Sequence, residues 1–207
     1  MIIRKVEKKD IPEIVRIHIA AFPGFFMTLM GKSFLKEYYY SVSKMPDGFV
    51  LGCFDEGSGN KLLGFCAEAV VSAGFNKKMI CKRFIHFGIQ ALRLVFINPG
   101  ALLHFAKNLT KGPGSKISDP AQYGELLSIA VDPAIQGKGV GKALLAAIEP
   151  LLFAQNQREN SLTTDAVDNN KAISFYKRNG YDIFYSFTAY PDRRMLRMNK
   201  RLTKIGD

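Results

Sequence analysis

The sequence predicts a single α/β or α+β domain built around one mixed β-sheet. Its 207 residues are near the upper end of an ordinary single domain. Hydrophobic residues make up 47% of the chain, charged residues make up 23%, and the mean hydropathy is near zero, as in soluble globular proteins. Short apolar strands come first along the chain and strand–helix pairs follow, an order typical of one sheet covered by helices.

The first third of the chain alternates strands with amphipathic helices. A strand is predicted at residues 2–6, and a helix begins at Asp10, an N-cap type of residue followed by a proline in the first turn. A second helix is predicted at residues 31–41. Residues 49–54 and 61–71 flank a turn-rich segment, which predicts a β-hairpin.

Residues 74–120 form a basic and apolar insertion. Between Ala69 and Ser118 the chain has no acidic residue but eight lysines and arginines, which account for most of the net charge of +11. If residues 77–96 are helical, their cationic side chains fall within roughly 80° of one another and leave a wide apolar face opposite. We therefore expect a helical hairpin docked on the domain, whose cationic face carries Lys78, Lys82, His86 and Arg93.

The insertion is not expected to cross a membrane. Its longest run without lysine or arginine is residues 94–106, far shorter than the ~20 residues that span a bilayer. A basic surface can attract nucleic acid, anionic lipid or phosphorylated small molecules, and net charge does not choose among them. The insertion could also be a dimer interface or a lid.

The second half of the chain predicts the strand–helix pairs. Residues 125–131 read as a buried strand that stops at Asp132 and Pro133. Further strands are expected at 162–167, 181–188 and 194–201, and helices at 139–154 and 170–178, the last ended by Asn179 and Gly180.

The turn between residues 136 and 142 is the strongest functional signal. It reads Gln136-Gly137-Lys138-Gly139-Val140-Gly141-Lys142 and opens a helix directly after the buried strand. Glycines let the backbone approach a ligand closely, and the first N–H groups of a helix lack intrahelical partners. The helix dipole and the two lysines favour negative charge here, so the turn predicts an anion site.

Two common phosphate-binding motifs do not fit this turn. A P-loop requires a glycine where Gln136 stands and a serine or threonine where Ala143 stands. The dinucleotide fingerprint requires Gly-x-Gly-x-x-Gly, whereas this run is Gly-x-Gly-x-Gly in the middle of the chain. Both alternatives fail on spacing.

The turn resembles the coenzyme A pyrophosphate turn of the GNAT acetyltransferases, Gln/Arg-x-x-Gly-x-Gly/Ala, through Gln136, Gly139 and Gly141. The strand at 129–133 and the segment 169–181, Asn-Asn-Lys-Ala-Ile-Ser-Phe-Tyr-Lys-Arg-Asn-Gly-Tyr, resemble the family's neighbouring signatures. The resemblance implies a mostly antiparallel central sheet flanked by helices, with the helical insertion before the fourth strand. It also implies an acyltransferase that uses acetyl-CoA as cosubstrate and requires no metal.

The resemblance also implies roles for individual residues. Tyr176 would stand near the thioester sulfur and donate a proton to the departing thiolate, although a packing role beside Phe175 is an alternative. Asn169 would contact pantetheine, or could instead be a helix N-cap. The cofactor residues implied are Ile129, Ala130 and Val131 for pantetheine, Gln136, Gly137, Lys138, Gly139, Val140, Gly141 and Lys142 for the pyrophosphate, and Asn169 and Tyr176.

A neutral amine is needed to attack a thioester. Removing the proton of a lysine-like amine at pH 7 costs roughly 4.6 kcal/mol, but an α-amine needs only ~1.4 kcal/mol. Glu125, four residues before Ile129, is the candidate general base, and the alternative is a strand-end carboxylate paired with a lysine. Glu68, His86 and His104 are reserve candidates.

The sequence specifies the amine that accepts the acyl group less well than it specifies the cofactor. A small-molecule amine such as an amino sugar is the first hypothesis, and an N-terminal or lysine amine of a protein is the second. Aromatic residues at 22–26 are expected on the acceptor side. A non-catalytic protein that binds coenzyme A, nucleic acid or a membrane through the insertion is a further alternative, with nucleic acid not favoured. The N-terminus has no secretory signal pattern, so a cytoplasmic location is expected.

Overall fold

The chain forms a seven-stranded sheet with helices on both faces, in a computed structural model that describes residues 1–97, 100, 118–189 and 192–203. The strand order is β1-β2-β3-β4-β5-β7-β6. Only β4 and β5 are parallel, so the prediction of one mixed, mostly antiparallel sheet flanked by helices is confirmed. The strands are β1 Ile2–Lys5, β2 Gly48–Asp55, β3 Lys61–Ala69, β4 Gly124–Val131, β5 Glu159–Asp165, β6 Asp182–Ala189 and β7 Arg193–Arg201.

The helices match the predicted positions, with a short additional helix after the first. They are α1 Ile11–Ala21, α2 Phe26–Leu29, α3 Gly31–Lys44, α4 Phe75–Lys82, α5 Phe84–Ile97, α6 Val140–Ala154 and α7 Asn170–Arg178. Strand β5 begins three residues before its predicted start at residue 162. Among the helices described, none combines the length and apolar character needed to cross a membrane.

The insertion is helical over its described part, and it forms two helices instead of the one continuous helix assumed for residues 77–96. The helix is interrupted at Arg83, whose backbone leaves the helical region at φ −119° and ψ 32°. The Arg83 guanidinium binds Glu37 on α3 at 2.6 Å and lies 5.1 Å from the ring centre of Tyr40. The residue between α4 and α5 is thus tied to α3. His104 lies outside the described residues.

Two apolar cores lie on opposite faces of the sheet. The first face packs against α1, α3, α4 and α5, and the second packs against α6 and α7. Alternation along β3 shows the division, because Phe65 and Ala67 face the first core while Cys66 faces the second. Each face of the sheet is therefore covered by helices, as the largely apolar sequence of β4 favours.

The sheet opens between β4 and β5. These strands pair only from Gly124 to Leu126 on β4, after which β5 no longer accompanies β4. Next to this point Leu127 has no partner on β3, because Glu68 pairs with Leu126 and Ala67 pairs with Ser128. This β-bulge re-aims the following residues. Ile129 and Val131 pair with β3 alone in the described structure, and their other backbone edge faces the opening.

Candidate active site

A cleft of about 870 Å³ lies at the opening between β4 and β5. The end of β4, the glycine-rich turn, α7 and the end of α1 line it. Of the twelve predicted cofactor residues, all but Lys138 and Asn169 are among the residues that line it. The lining residues predicted from sequence are Ile129, Ala130, Val131, Gln136, Gly137, Gly139, Val140, Gly141, Lys142 and Tyr176.

Asp132 holds the end of β4 against the turn. Its carboxylate accepts a hydrogen bond from the backbone N–H of Ala134 at 3.0 Å and from Arg16 of α1 at 2.5 Å. The Arg16 hydrogen bond, with that of Ala134, lowers the pKa of Asp132 below its ordinary value. Helix α1, the end of β4 and the turn are consequently linked by one charged side chain.

The glycines shape the turn in two different ways. Gly137 and Gly139 have φ of 85° and 81°, a left-handed backbone that side chains other than glycine adopt at a cost. Gly141 is needed for close packing instead, because a Cβ there would lie 3.2 Å from the Phe175 ring on α7. The turn therefore brings the start of α6 against α7 across the cleft.

The start of α6 supplies the hydrogen-bond donors of the site. Gly139 is its N-cap and provides no side-chain cap, and the first intrahelical bond of the helix runs from the Ala143 N–H to the Gly139 carbonyl at 3.0 Å. The backbone N–H groups of residues 140–142 precede that bond and have no partner within the helix. They lie in the cleft wall, where the helix dipole favours an anion.

Sequence reasoning missed two cations of the cleft. Lys171 and Arg178 on α7 line it together with Lys142 of α6. Their seven-residue spacing is two helical turns, which places both on one face of α7. That spacing was the signal available in the sequence. The cleft consequently presents three cationic side chains beside the N-terminus of α6.

Tyr176 lies in the cleft wall and also packs in the core. Its ring contacts Phe175 at a centroid distance of 5.3 Å and Tyr181 at 6.0 Å. Burial raises the pKa of Tyr176 to about 12, so the phenol is neutral near pH 7 and is a proton donor. The packing beside Phe175 that the sequence offered as an alternative is therefore present, and the place of Tyr176 in the cleft wall leaves its predicted role beside the thioester sulfur as a prediction.

Asn169 occupies the N-cap position of α7 without making a side-chain cap hydrogen bond. Its amide instead donates to the Thr164 hydroxyl at 2.7 Å and to the Asp165 carbonyl at 3.2 Å. These bonds tie the start of α7 to the end of β5. The described position of Asn169 is thus at the edge of the opening rather than in the cleft lining.

Glu125 is held in an ion pair near the base of the opening. Its carboxylate lies 2.5 Å from the guanidinium of Arg197 on β7 and also accepts a hydrogen bond from the Ser72 hydroxyl. The side chains of Glu125 and Arg197 are only 16% and 11% exposed. Burial opposes the charge of Arg197, but the nearby Glu125 carboxylate raises its pKa above the ordinary value. The partner is thus an arginine rather than the lysine considered from sequence.

A polar cluster that the sequence did not indicate extends from this ion pair. The Arg197 guanidinium lies 5.6 Å from the Tyr123 ring centre. Asp119 accepts hydrogen bonds from the hydroxyls of Tyr123 and Tyr185 at 2.5 and 2.7 Å. Burial tends to raise the pKa of Asp119, but these bonds lower it overall. The cluster fixes Arg197 and, through it, the orientation of Glu125.

Glu68 and His86, the other described candidates for the general base, are less suitable than Glu125. Glu68 is fully buried, and the Asn160 side chain is the neighbour that favours its charged form. Burial and the nearby Glu125 charge raise its pKa well above the ordinary value, which disfavours the carboxylate form that a base needs. His86 is exposed on α5, away from the residues that line the cleft.

His18 on α1 is a buried histidine that sequence reasoning passed over. Its Nδ1 lies 2.6 Å from the Tyr39 hydroxyl, which donates to the Ser128 hydroxyl at 3.1 Å. Burial lowers the pKa of His18 to about 4, so the ring is neutral near pH 7. The helical spacing of His18 with Ile11 and Ile14 indicated only a core position. The chain of contacts ends on β4 directly after the bulge.

The aromatic residues predicted for the acceptor side, at 22–26, have two different surroundings. Phe22 lines the cleft, and its ring centre lies 5.2 Å from that of Phe25. Phe25 in turn packs on the guanidinium of Arg193 at 4.5 Å, and Arg193 forms an ion pair with Asp165. The α1–α2 loop therefore meets the start of β7 beside the end of β5.

Comparisons with known proteins agree with this architecture. An aligned stretch of 71 residues is 35% identical to a mycothiol acetyltransferase from Mycolicibacterium gilvum (strain PYR-GCK), covering 32% of this chain and only 23% of that protein. The ribosomal-protein-S18-alanine N-acetyltransferase from Escherichia coli superposes with a TM-score of 0.59 at 18% identity, over 100% of this chain and 96% of that one. An aminoglycoside 6'-acetyltransferase type Ii has a TM-score of 0.61 at 14% identity, over 99% of each chain.

Because the sequence identities to these two structures are low, the structural similarities show a shared fold and nothing more. The family assignment comes from the sequence itself. The family model described as the acetyltransferase (GNAT) family matches residues 11–181, which is most of the chain and includes the turn, the opening and α7. The chain therefore belongs to the GNAT family of acetyltransferases.

Proposed function

We propose that this protein transfers an acetyl group from acetyl-CoA to a primary amine by direct attack within a ternary complex. The observation that carries the proposal is the cleft at the opening between β4 and β5, with an anion-binding helix start at its wall. The family supplies the reaction class, and the described residues supply the groups that such a reaction needs.

The turn and its neighbours fit the anionic end of coenzyme A. The N–H groups at the start of α6 would bind the pyrophosphate, and Gly137 and Gly139 let the backbone come close. Lys142 and the two α7 cations, Lys171 and Arg178, would neutralise phosphate charge around it. Lys138, exposed and beside the cleft, would contribute only long-range attraction.

The open edge of β4 fits the pantetheine arm. The backbone of Ile129 and Val131 lacks a strand partner on the β5 side, so its amide groups can bind the arm as an added strand would. Asn169 would contact the arm from the start of α7. Bound acetyl-CoA supplies a thioester, whose acyl carbon the amine attacks.

The proposed chemistry needs one proton acceptor and one donor. Glu125, directly or through a water molecule, takes the amine proton, and the Arg197 ion pair keeps its carboxylate oriented. The nitrogen–carbon bond forms, the carbon–sulfur bond breaks, and Tyr176 donates its proton or a hydrogen bond to the thiolate. The proton that Glu125 took from the amine restores the phenol through water, so coenzyme A leaves as the thiol. Backbone N–H groups beside the bulge stabilise the tetrahedral oxyanion.

The proposed acceptor is a small-molecule amine such as an amino sugar, in the cytoplasm. Phe22 lines the cleft, and the adjoining Phe25 ring and the Asp165–Arg193 ion pair suit a compact molecule with both polar and apolar faces. A protein N-terminal or lysine amine is the alternative. A panel of amino sugars, polyamines and short peptides, assayed for release of the coenzyme A thiol, distinguishes the two classes.

Calorimetric titration of acetyl-CoA tests the cofactor site. We expect micromolar binding by the parent and none by Gly139→Asp, because its negative side chain stands at the start of α6, where the pyrophosphate would lie. Gly141→Asp should also lose binding, because its Cβ would press on the Phe175 ring and displace the start of α6 from α7. Gly59→Asp is a matched control, since Gly59 also has positive φ, 68°, and open space around a Cβ, but lies in the β2–β3 turn. Absence of binding by the folded parent would overturn the proposal.

A further inference from the structure

Helix α5 exposes an extensive apolar face. Thirteen large hydrophobic residues are exposed in the described part of the chain, and six of them lie on α5 with exposed fractions between 47% and 81%. Exposed apolar residues gathered in one patch mark an interaction surface, whereas scattered ones do not. The α5 apolar face consists of Phe84, Ile85, Ile89, Leu92, Val95 and Phe96.

This face is distinct from the side of α5 that packs in the core. Phe87 and Leu94 are 7% and 4% exposed, and the Phe87 ring centre lies 5.9 Å from that of Phe34 on α3. At 3.6 residues per turn the six exposed side chains occupy an arc of roughly 140° on the other side. The helix is therefore anchored by one apolar side and presents a second to its surroundings.

Exposed positive charge lies on α4 and α5, the helices of the insertion. Lys77, Lys82 and Arg93 are exposed, and in the described structure none of them forms an ion pair with a carboxylate. Their neighbours Lys78 and Arg83 are engaged, with Asp47 at 2.8 Å and Glu37 at 2.6 Å. The sequence from residue 70 to 117 contains no acidic residue that could offset this charge.

We propose that α4 and α5 dock the protein on an anionic lipid bilayer. The 14-residue helix α5 would lie in the plane of the interface, with its apolar face among the upper acyl chains. Lys77, Lys82 and Arg93 would contact the anionic headgroups. The combination of exposed aliphatic side chains and uncompensated positive charge is what this kind of surface binds.

Two other occupants fit these observations less well. A second copy of the chain, docked through the same face, would bring the three cations of each copy close together. Nucleic acid would use the cations, but Ile85, Ile89 and Leu92 offer no ring on which bases stack. An anionic bilayer satisfies both the apolar and the charged component.

A short stretch of chain joins the docking helices to the proposed catalytic carboxylate. Helix α4 begins three residues after Ser72, and the Ser72 hydroxyl binds the Glu125 carboxylate. The docking proposal does not depend on the proposed catalysis, because its tests measure binding to vesicles rather than turnover.

The test is sedimentation of the full chain with vesicles of phosphatidylcholine alone or mixed with phosphatidylglycerol. We expect at least a roughly tenfold higher partition coefficient on the anionic vesicles, decreasing as salt is added. Equal partition on both vesicle types, or no binding to either at low salt, overturns the proposal.

Surface variants locate the binding. Ile85→Gln, Leu92→Gln and Phe96→Gln combined should lower partition at least roughly tenfold, while Ile183→Gln with Phe184→Gln, similarly exposed on β6, should not. Charge reversal at Lys77, Lys82 and Arg93 to Glu should abolish the anionic preference. The matched reversal at Lys5, Lys8 and Arg201 should leave most of it. Thermal unfolding midpoints confirm that each variant is folded.

Separate measurements test the two alternative occupants, a second copy of the chain and nucleic acid. A dimer in light scattering that the α5 glutamine variant dissociates, with no vesicle binding by the parent, assigns the face to a second copy and overturns the proposal. Tight binding to RNA or DNA without vesicle binding overturns it in favour of nucleic acid. Vesicle binding lost only in the α4–α5 variants supports it.

Discussion

At the scale of single residues, the proposed activation of the amine depends on the Glu125 carboxylate. We expect Glu125→Gln to lower kcat/KM by roughly 10²- to 10⁴-fold, because the amide cannot take up the amine proton. Acetyl-CoA affinity should be unchanged, since Glu125 is not among the residues that line the cofactor cleft. Steady-state kinetics with the best amine of the screen, together with calorimetry, measure the two quantities.

Glu149→Gln is the matched control for this variant. Glu149 also forms a part-buried ion pair, with Lys200 at 2.5 Å, but it lies on α6. It should therefore lose comparable stability and little activity. If the two variants have the same small effect on kcat/KM, Glu125 has only a structural role.

Tyr176 provides a second prediction at this scale. We expect Tyr176→Phe to lower kcat by no more than about tenfold, because an unperturbed thiol pKa near 8.5 makes the thiolate a fair leaving group without help. The ring packing against Phe175 and Tyr181 should persist, so acetyl-CoA affinity should change little. A large loss of affinity, measured by calorimetry, would indicate that the hydroxyl binds the cofactor instead.

At the scale of elements, Asp132 joins α1 to the end of β4 and to the glycine-rich turn. Asp132→Ala removes its bonds to Arg16 and to Ala134, so we expect a loss of about 1–3 kcal/mol in the free energy of unfolding. It should also weaken acetyl-CoA binding, because the turn at Gln136 to Lys142 follows directly. Urea denaturation and calorimetry measure these effects.

Asp132→Asn separates the two bonds. The amide oxygen can still accept from the Ala134 N–H, while the charge that attracts Arg16 is lost. Its effect on cofactor binding should therefore be smaller than that of the alanine variant. Equal effects of both variants would show that the ion pair with Arg16, rather than the cap of the turn, positions this element.

At the scale of the whole molecule, buried His18 links stability to pH. The folded pKa of about 4 lies below the ordinary value of 6.5, so the unfolded chain binds more protons between these pH values. Stability contributed by the neutral ring is complete above about pH 6.5 and is lost as the pH falls to about 4, by at most about 3 kcal/mol. Urea unfolding at several pH values measures this loss.

A substitution tests whether His18 is the cause. His18→Asn has no group that titrates in this range, so its unfolding free energy should depend less on pH between 6.5 and 4. The carboxylates whose pKa is lowered, such as Asp119 and Asp132, lose their contribution only below the ordinary value of 3.8. A variant with unchanged pH dependence in the upper range would rule out His18.

The sequence by itself determined the elements and the position of the cleft that we propose as the cofactor site. Apolar periodicity and capping residues are local signals, so the predicted helices and strands agree with the structure to within a few residues. The turn at residues 136–142 could be predicted equally well, because glycine spacing and the start of a helix are read from adjacent residues. Even the missed cations Lys171 and Arg178 were marked by their spacing on one helix.

Only the tertiary structure decided which distant side chains meet. Glu125 and Arg197 are 72 residues apart, and the sequence could not show that pairing across the sheet makes them neighbours. The His18–Tyr39 contact and the ion pair of Arg83 with Glu37 on another helix were hidden for the same reason. Local pattern fixes the element in which a residue lies, whereas strand register and helix docking fix its partners, since contacts between distant residues depend on the whole chain folding together.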